Sequence, residues 1–214
     1  TQAPPHIDSL ELQLKTLIKQ RDDKPGKAYL GVPHRLDRPV SGAIVLALHV
    51  RAARSLSEQF QQRTVNKVYW ACVEGTLQED AGSWQDTMRK VPGEARSEIV
   101  AADHPDARQA ILHFKVIKRY DSWSWLQIQL ETGRTHQIRL QCSARGLPIG
   151  GDRQYGSQRP FGPVCDDPRR SWIALHARQL VFDHPMTGEQ VDITPPVASY
   201  WDELEAGSYT HLRA

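Results

Sequence analysis

The sequence has little cysteine and no metal-binding or nucleotide-binding motif. Its three cysteines, Cys72, Cys142 and Cys165, are odd in number and widely spaced. That spacing argues against a disulfide framework and favours buried, reduced thiols in a cytoplasmic protein. The chain lacks a Cys-x-x-Cys pair, a His-Glu-x-x-His helix and a glycine-rich phosphate loop. We therefore expect neither a metal nor a cofactor.

The sequence also has almost no excess of positive over negative charge. The 214 residues include 27 Lys or Arg and 25 Asp or Glu, for a net charge of +2. This balance does not indicate nucleic-acid binding by itself, because binding depends on where charges cluster. No apolar run approaches the ~20 residues that a membrane-spanning helix needs. Hydrophobic residues make up 39% and charged residues 24% of the chain, which is typical of a soluble globular domain.

Hydrophobic periodicity predicts amphipathic helices over 7–20, with Asp8 or Ser9 as the cap, and over 50–63. The apolar run 42–48 predicts a buried strand. Further predictions are strands at 66–75, 109–120 and 124–131, a long hairpin or insertion at 76–95, a helix at 135–146 ending at Gly146, and two strands within 173–193. The predicted class is α+β, with a mixed, mainly antiparallel sheet core and flanking helices.

Both ends of the chain look incomplete. It begins at Thr1 without a methionine, and its last residues, "AGSYTHLRA", resemble a translated sequencing adapter. We expect one domain over 1–206 that lacks an N-terminal strand, followed by a non-native tail at 207–214.

Three polar segments are candidates for chemistry. They are "HRLDRPVSG" at 34–42, "KVYWACVEG" at 67–75 and "LETGRTHQIRLQCSARGLPIGGDRQYG" at 130–156. Each alone has an ordinary explanation, such as a solvated ion pair, a half-buried strand aromatic or a polar helix start. Together, in this order, they closely resemble the RluA-type RNA pseudouridine synthases. That family isomerises uridine to pseudouridine in ribosomal or transfer RNA, and the resemblance implies its catalytic fold here.

The resemblance implies three catalytic residues. Asp37 corresponds to the family's active-site aspartate, which acts at the ribose C1′ or removes a proton from C2′; both alternatives stay open. Arg139 would keep that carboxylate ionised, because a nearby cation opposes the effect of desolvation. Tyr69 would stack on the uracil, and its phenol could assist proton transfer from C5.

The resemblance also implies an RNA partner and base flipping. Arg35 would fill the space that the flipped uridine leaves, and Leu36 and Ile138 would contact the substrate. Arg38 and Arg134, together with Lys67 and Arg153, are candidates for phosphate contacts. We expect a monomer.

Flanking residues receive structural roles. His34 and His136 are expected to form structural hydrogen bonds, and Ser41 and Gly42 to turn the loop tightly. Gln141 and Leu147 stand where family members usually carry histidine. The alternatives are an inactive RNA-binding module on the same fold, and a hydrolase that uses Asp37 with His34. The second lacks a further acidic residue beside either motif.

Overall fold

The computed structural model describes residues 9–22, 28–163, 165, 167 and 171–202. These residues group into two compact units. The described parts of the first unit are 9–22, 28–38, 44–65 and 181–193, and those of the second are 39–43, 66–163, 165, 167, 171–180 and 194–202. The predicted tail at 207–214 and the start of the first predicted helix lie outside the described residues.

Helices and strands alternate irregularly along the chain, as the α+β prediction requires. The helices are α1 (Leu10–Asp22), α2 (Val50–Gln62) and α3 (Gln137–Ser143). The strands are β1 (Ser41–Gly42), β2 (Asn66–Glu74), β3 (Ala81–Lys90), β4 (Ser97–Ile99), β5 (Arg108–Arg119), β6 (Trp123–Leu130), β7 (Leu175–Asp183) and β8 (Gln190–Ile193). Short 3-10 turns occur at Arg153–Tyr155 and Ser199–Trp201.

The strands of the described residues form one sheet with the order β1-β7-β2-β6-β5-β3-β4, and β8 pairs with β7 off this path. β1 runs parallel to β7, whereas β2–β6, β6–β5, β5–β3 and β3–β4 are antiparallel. The prediction of a mixed, mainly antiparallel sheet is therefore confirmed. The stretch predicted as a hairpin or insertion supplies β3, a full member of the sheet.

A hydrophobic core lies in the second unit. The central strands β2 and β6 contribute Val73, Leu126 and Ile128, all with no exposed surface. Ile138 and Cys142 of α3 belong to the same cluster, so the short helix is fixed against the sheet. Burying a Leu or Ile side chain fully contributes about 1.5–3 kcal/mol, which makes this cluster a rigid base for the residues beside it.

The first two predicted helices are present, although none of the residues of α1 is buried. Ser9 caps α1, since its Oγ accepts a hydrogen bond from the Leu12 N–H at 3.2 Å. In α2, Ala52 and Leu56 are buried, and the helix ends at Arg63 in the left-handed conformation. The predicted helix at 135–146 is shorter than expected and is limited to α3, although Gly146 follows it with a φ of 70°.

The prediction of a buried strand at 42–48 is wrong beyond its first residue. Its backbone donors bond to separate partners and so form no continuous ladder. The Val45 N–H donates to Nε2 of His34 at 2.9 Å, and Ala47 makes an isolated bridge with Gly31. This apolar run is therefore a half-buried connecting segment. The His34 side chain and the single bridge to Gly31 satisfy backbone N–H and C=O groups that a neighbouring strand would otherwise bind.

The expectation of buried thiols holds for two of the three cysteines. Cys72 and Cys142 are buried and free, whereas Cys165 is free but exposed. Burial raises the pKa of Cys142 to about 12 and also raises that of Cys72. Both thiols therefore stay protonated at neutral pH and act as small apolar core residues.

Gly42 has the tight conformation that its position after the charged loop predicts. Its φ is 112°, and a Cβ there would overlap the Ala177 carbonyl and lie 2.6 Å from the Ala177 nitrogen. We expect Gly42→Ala to lower the free energy of unfolding by about 2 kcal/mol or more, because strain and overlap add. Gly93→Ala is the matched control, since Gly93 has a φ of 75° with nothing within 4 Å. Urea denaturation measures both, and equal losses would contradict the role of the close approach.

Candidate active site

The loop that carries Asp37 belongs to the first unit. Asp37 and Leu36 are half-buried, and the flanking Arg35 and Arg38 are exposed. His34, at the start of this loop, has a structural role, as expected. Besides accepting the Val45 N–H, its ring stacks on Phe60 with centroids 4.4 Å apart. The loop is thus attached to α2 three residues before its carboxylate.

Tyr69 stands on β2 of the second unit, opposite Ile128 of β6. Its half-buried side chain packs against the hydrophobic cluster that contains Ile138. The other predicted residue of β2, Lys67, places its Nζ 3.7 Å from the point where a Cβ on Gly133 would stand. The ammonium group of Lys67 therefore lies beside the start of the segment that leads to α3.

A polar network holds that segment, 132–137, against β5. The Thr132 hydroxyl donates to Oε1 of Gln137 at 2.8 Å, and the Arg134 N–H donates to the same oxygen at 3.0 Å. Gln137 in turn donates through Nε2 to the Ile111 carbonyl at 3.0 Å, and the Ile111 N–H donates to Thr132 Oγ1 at 2.8 Å. Because Thr132 and Gln137 are buried, losing either partner would leave unsatisfied polar groups, so the loop has one well-defined conformation.

His136 immediately precedes α3 as its N-cap residue and has a left-handed conformation with a φ of 54°. Its Nδ1 lies 3.0 Å from the Tyr155 hydroxyl, and the Ser97 N–H donates to that hydroxyl at 2.9 Å. The Ser97 hydroxyl donates to the Thr135 carbonyl at 2.8 Å. These contacts agree with the structural role expected for His136.

Arg139 is 5% exposed and forms a buried ion pair with Asp152, which is 2% exposed. Its Nε donates to Asp152 Oδ2 at 2.7 Å and its Nη2 to Asp152 Oδ1 at 2.8 Å. Nη2 also donates to Oε1 of Gln154 at 2.9 Å, and the guanidinium carbon lies 4.9 Å from the centre of the Tyr155 ring. The bidentate pair fixes the plane of the guanidinium.

Asp152 is a site residue that the sequence analysis missed. It lies within the quoted "GGDRQYG" segment but received no role. A signal was available, because an arginine on a helix packed into a core needs a carboxylate partner. The sequence does not say which of the chain's acidic residues that partner is.

The remaining predicted contacts are distributed over both units. In the second unit, Arg134 is half-buried and donates through Nε to the Gln109 carbonyl at 2.9 Å. Ile138 is 4% exposed and packs in the core, next to Arg139 in sequence. Arg153 is exposed at the start of its 3-10 turn. The structure thus brings Tyr69 and Ile138 into one cluster, while Arg35 to Arg38 belong to the first unit.

Within 9–22, 28–163, 165, 167 and 171–202, no three His, Cys, Asp or Glu side chains are grouped as a metal site would be. None of the helices in this part of the chain has the length and apolar character needed to cross a membrane.

Comparisons with known proteins converge on one family. A family model described as RNA pseudouridylate synthase matches residues 3–144. An uncharacterized RNA pseudouridine synthase of Synechocystis is 33% identical over 174 residues, covering 81% of this chain and 52% of that protein. The ribosomal large subunit pseudouridine synthase D of Neisseria meningitidis is 36% identical over 171 residues, covering 78% and 45%. The chain spans about half the length of these curated relatives.

A solved structure is also similar in fold. The human protein RNA Pseudouridylate Synthase Domain Containing 1 superposes with a TM-score of 0.72 at 27% identity. The similarity covers 93% of this chain and 79% of that structure.

Proposed function

Since the chain belongs to the RNA pseudouridylate synthase family, we propose that it isomerises uridine to pseudouridine in ribosomal or transfer RNA. The observation that best supports this activity is the buried, oriented Arg139 on α3, four residues after the end of the Thr-Gly-Arg-Thr segment at 132–135. Relatives named for the ribosomal large subunit favour ribosomal RNA as the first substrate to test. We further propose that the protein acts as a cytoplasmic monomer.

Asp37 is the proposed catalytic carboxylate. The reaction breaks the bond between uracil N1 and ribose C1′ and forms a bond between C5 and C1′, so the atoms of substrate and product are the same. A carboxylate can trap or stabilise the positive character at C1′, or it can remove the C2′ proton. Either route requires Asp37 in its ionised form and needs no redox cofactor.

Arg139 is the proposed cationic partner of Asp37. When the uracil of the substrate encloses a carboxylate, water is removed and the protonated form of the carboxylate is favoured. A guanidinium beside the carboxylate keeps it ionised. Asp152 and Gln154 engage Nε and Nη2 of Arg139. An arginine suits this role better than a lysine, because a planar guanidinium can bind carboxylates along two edges.

The uracil is proposed to stack on Tyr69, with Leu36 and Ile138 as apolar neighbours. Stacking on an aromatic ring is worth about 1–3 kcal/mol per base and suits a base removed from its helix. The phenol of Tyr69 could then assist the loss of the C5 proton that completes the reaction.

Base flipping leaves a gap in the RNA, and we assign Arg35 to fill it. Its exposed guanidinium can stack on bases and hydrogen-bond to their edges. Arg38, Arg134, Lys67 and Arg153 are proposed to bind phosphates. Such contacts set the register of the RNA without reading its sequence.

The proposal is tested with RNA that carries tritium at uracil C5. Pseudouridine formation replaces the C5 hydrogen, so we expect release of tritium to water from ribosomal or transfer RNA. Filter binding of the same RNA gives the affinity in parallel. Tight binding without release from any RNA would favour the inactive RNA-binding module and overturn the proposed activity.

A further inference from the structure

The charged loop is joined at its far end to β7 by a short parallel pairing. Ser41 lies opposite His176, and Gly42 lies opposite Ala177. The Ser41 Oγ lies 2.8 Å from Nδ1 of His176, and the Ala43 N–H donates to the Ala177 carbonyl at 2.9 Å. A two-residue strand makes few backbone bonds, so the Ser41–His176 side-chain bond is a substantial part of this attachment.

His176 is built into the core rather than placed at a surface. It is 2% exposed, and its ring packs edge-on against Trp201 with centroids 5.9 Å apart. Burial lowers the pKa of His176, the Pro195 carbonyl opposes this, and the charge of Arg178 lowers the pKa further. The imidazole is therefore neutral at neutral pH. A neutral imidazole has one donor and one acceptor nitrogen, so it can bond a hydroxyl in either tautomer.

Ser41 and His176 thus form a side-chain pair at the start of β7, and neither residue has a role in the chemistry proposed above.

The attachment begins close to the catalytic carboxylate. The Pro39 carbonyl, two residues after Asp37, accepts the Ile173 N–H at 3.3 Å. Ser41 is anchored two residues further along. These contacts hold the backbone from Pro39 to Ala43, the stretch that directly follows the loop of Asp37.

We infer that His176 and Ser41 are positioning residues for Asp37, holding the C-terminal end of its loop against β7 through the Ser41 hydroxyl. The inference rests on the proposed function of Asp37. Its consequence is that breaking the Ser41–His176 bond affects the position of the carboxylate, and hence the chemical step, more than it affects RNA binding. A misplacement of about 1 Å can cost about 100-fold in rate.

The test compares Ser41→Ala, His176→Leu and His176→Asn. The asparagine amide can replace Nδ1 as a partner of Ser41, whereas leucine cannot. For Ser41→Ala and His176→Leu we expect kcat for tritium release to fall about 10- to 100-fold, with Kd for RNA within about twofold. His176→Asn should recover most of this loss. Ser83→Ala is the matched control, because Ser83 makes a similar 2.6 Å contact with His113 on an exposed part of the sheet.

Hydrogen–deuterium exchange of a peptide covering 34–40 provides a readout that does not depend on activity. Exchange should rise in Ser41→Ala and His176→Leu and return towards the wild-type rate in His176→Asn. Unchanged exchange and kcat in Ser41→Ala, or an equal loss in the asparagine and leucine variants, would overturn the inference. Absence of tritium release from the wild type would overturn the proposed function instead, and exchange would still decide the anchoring role.

Discussion

Replacing Asp37 by alanine should lower the rate of tritium release from RNA by at least about 10³-fold, because no other group is proposed to act at the ribose. RNA affinity should change by less than about threefold. Removing one negative charge does not weaken contacts to phosphates and slightly favours a polyanion. Single-turnover tritium release and filter binding, performed on the same protein preparation, measure the two quantities.

Two further variants make this prediction specific. Asp37→Asn keeps the shape of the side chain without its charge and should be equally inactive. Asp80→Ala removes a carboxylate whose side chain is 90% exposed and should retain full activity. An Asp37→Ala protein that still turns over would show that the mechanism assigned to this residue is wrong.

Disrupting the Arg139–Asp152 pair should have the largest effect on stability. Asp152→Ala leaves a guanidinium in the core without its carboxylate, and breaking a buried pair in this way costs about 3–5 kcal/mol. Thermal and urea denaturation measure the loss. Glu58→Ala is the control, since its ion pair with Arg54 is exposed, and such pairs contribute about 0.5 kcal/mol.

The Arg139–Asp152 pair is expected to affect activity as well as stability. Arg139→Lys keeps a positive charge but loses the bidentate geometry, so we expect it to lower kcat more than it changes the Kd for RNA. An Asp152→Ala protein as stable as Glu58→Ala would contradict the importance assigned to this pair. An Arg139→Lys protein with wild-type kcat would contradict the role proposed for the guanidinium as the partner of Asp37.

Periodicity predicted α2 well because its apolar residues form a regular pattern. Ala52 and Leu56 recur at helical spacing and are the buried positions of α2. The apolar run after Gly42 is not a strand, since a run of branched side chains predicts burial but does not determine which groups bind its backbone. The His34 side chain takes one of its N–H groups, a contact that no local pattern signals.

In the candidate site, too, the features that local motifs determine could be predicted, whereas the contacts that depend on the tertiary structure could not. The motifs placed Tyr69 on a strand and Arg139 on a helix, and both placements are confirmed. The ion pair of Arg139 with Asp152 joins side chains 13 residues apart, and its burial depends on how α3 packs on the sheet. The bond between Ser41 and His176 spans 135 residues, so it follows from the pairing of β1 with β7 rather than from either segment alone.

The most direct test of the central claim is the fate of the uracil after incubation with RNA. Complete digestion followed by chromatography and mass spectrometry identifies each nucleoside by its retention and mass. The proposed isomerisation predicts a nucleoside with the mass of uridine, the retention of pseudouridine and a glycosidic carbon–carbon bond that resists acid. Release of free uracil would indicate a hydrolase, and an unchanged uridine content in every RNA tested would contradict the account.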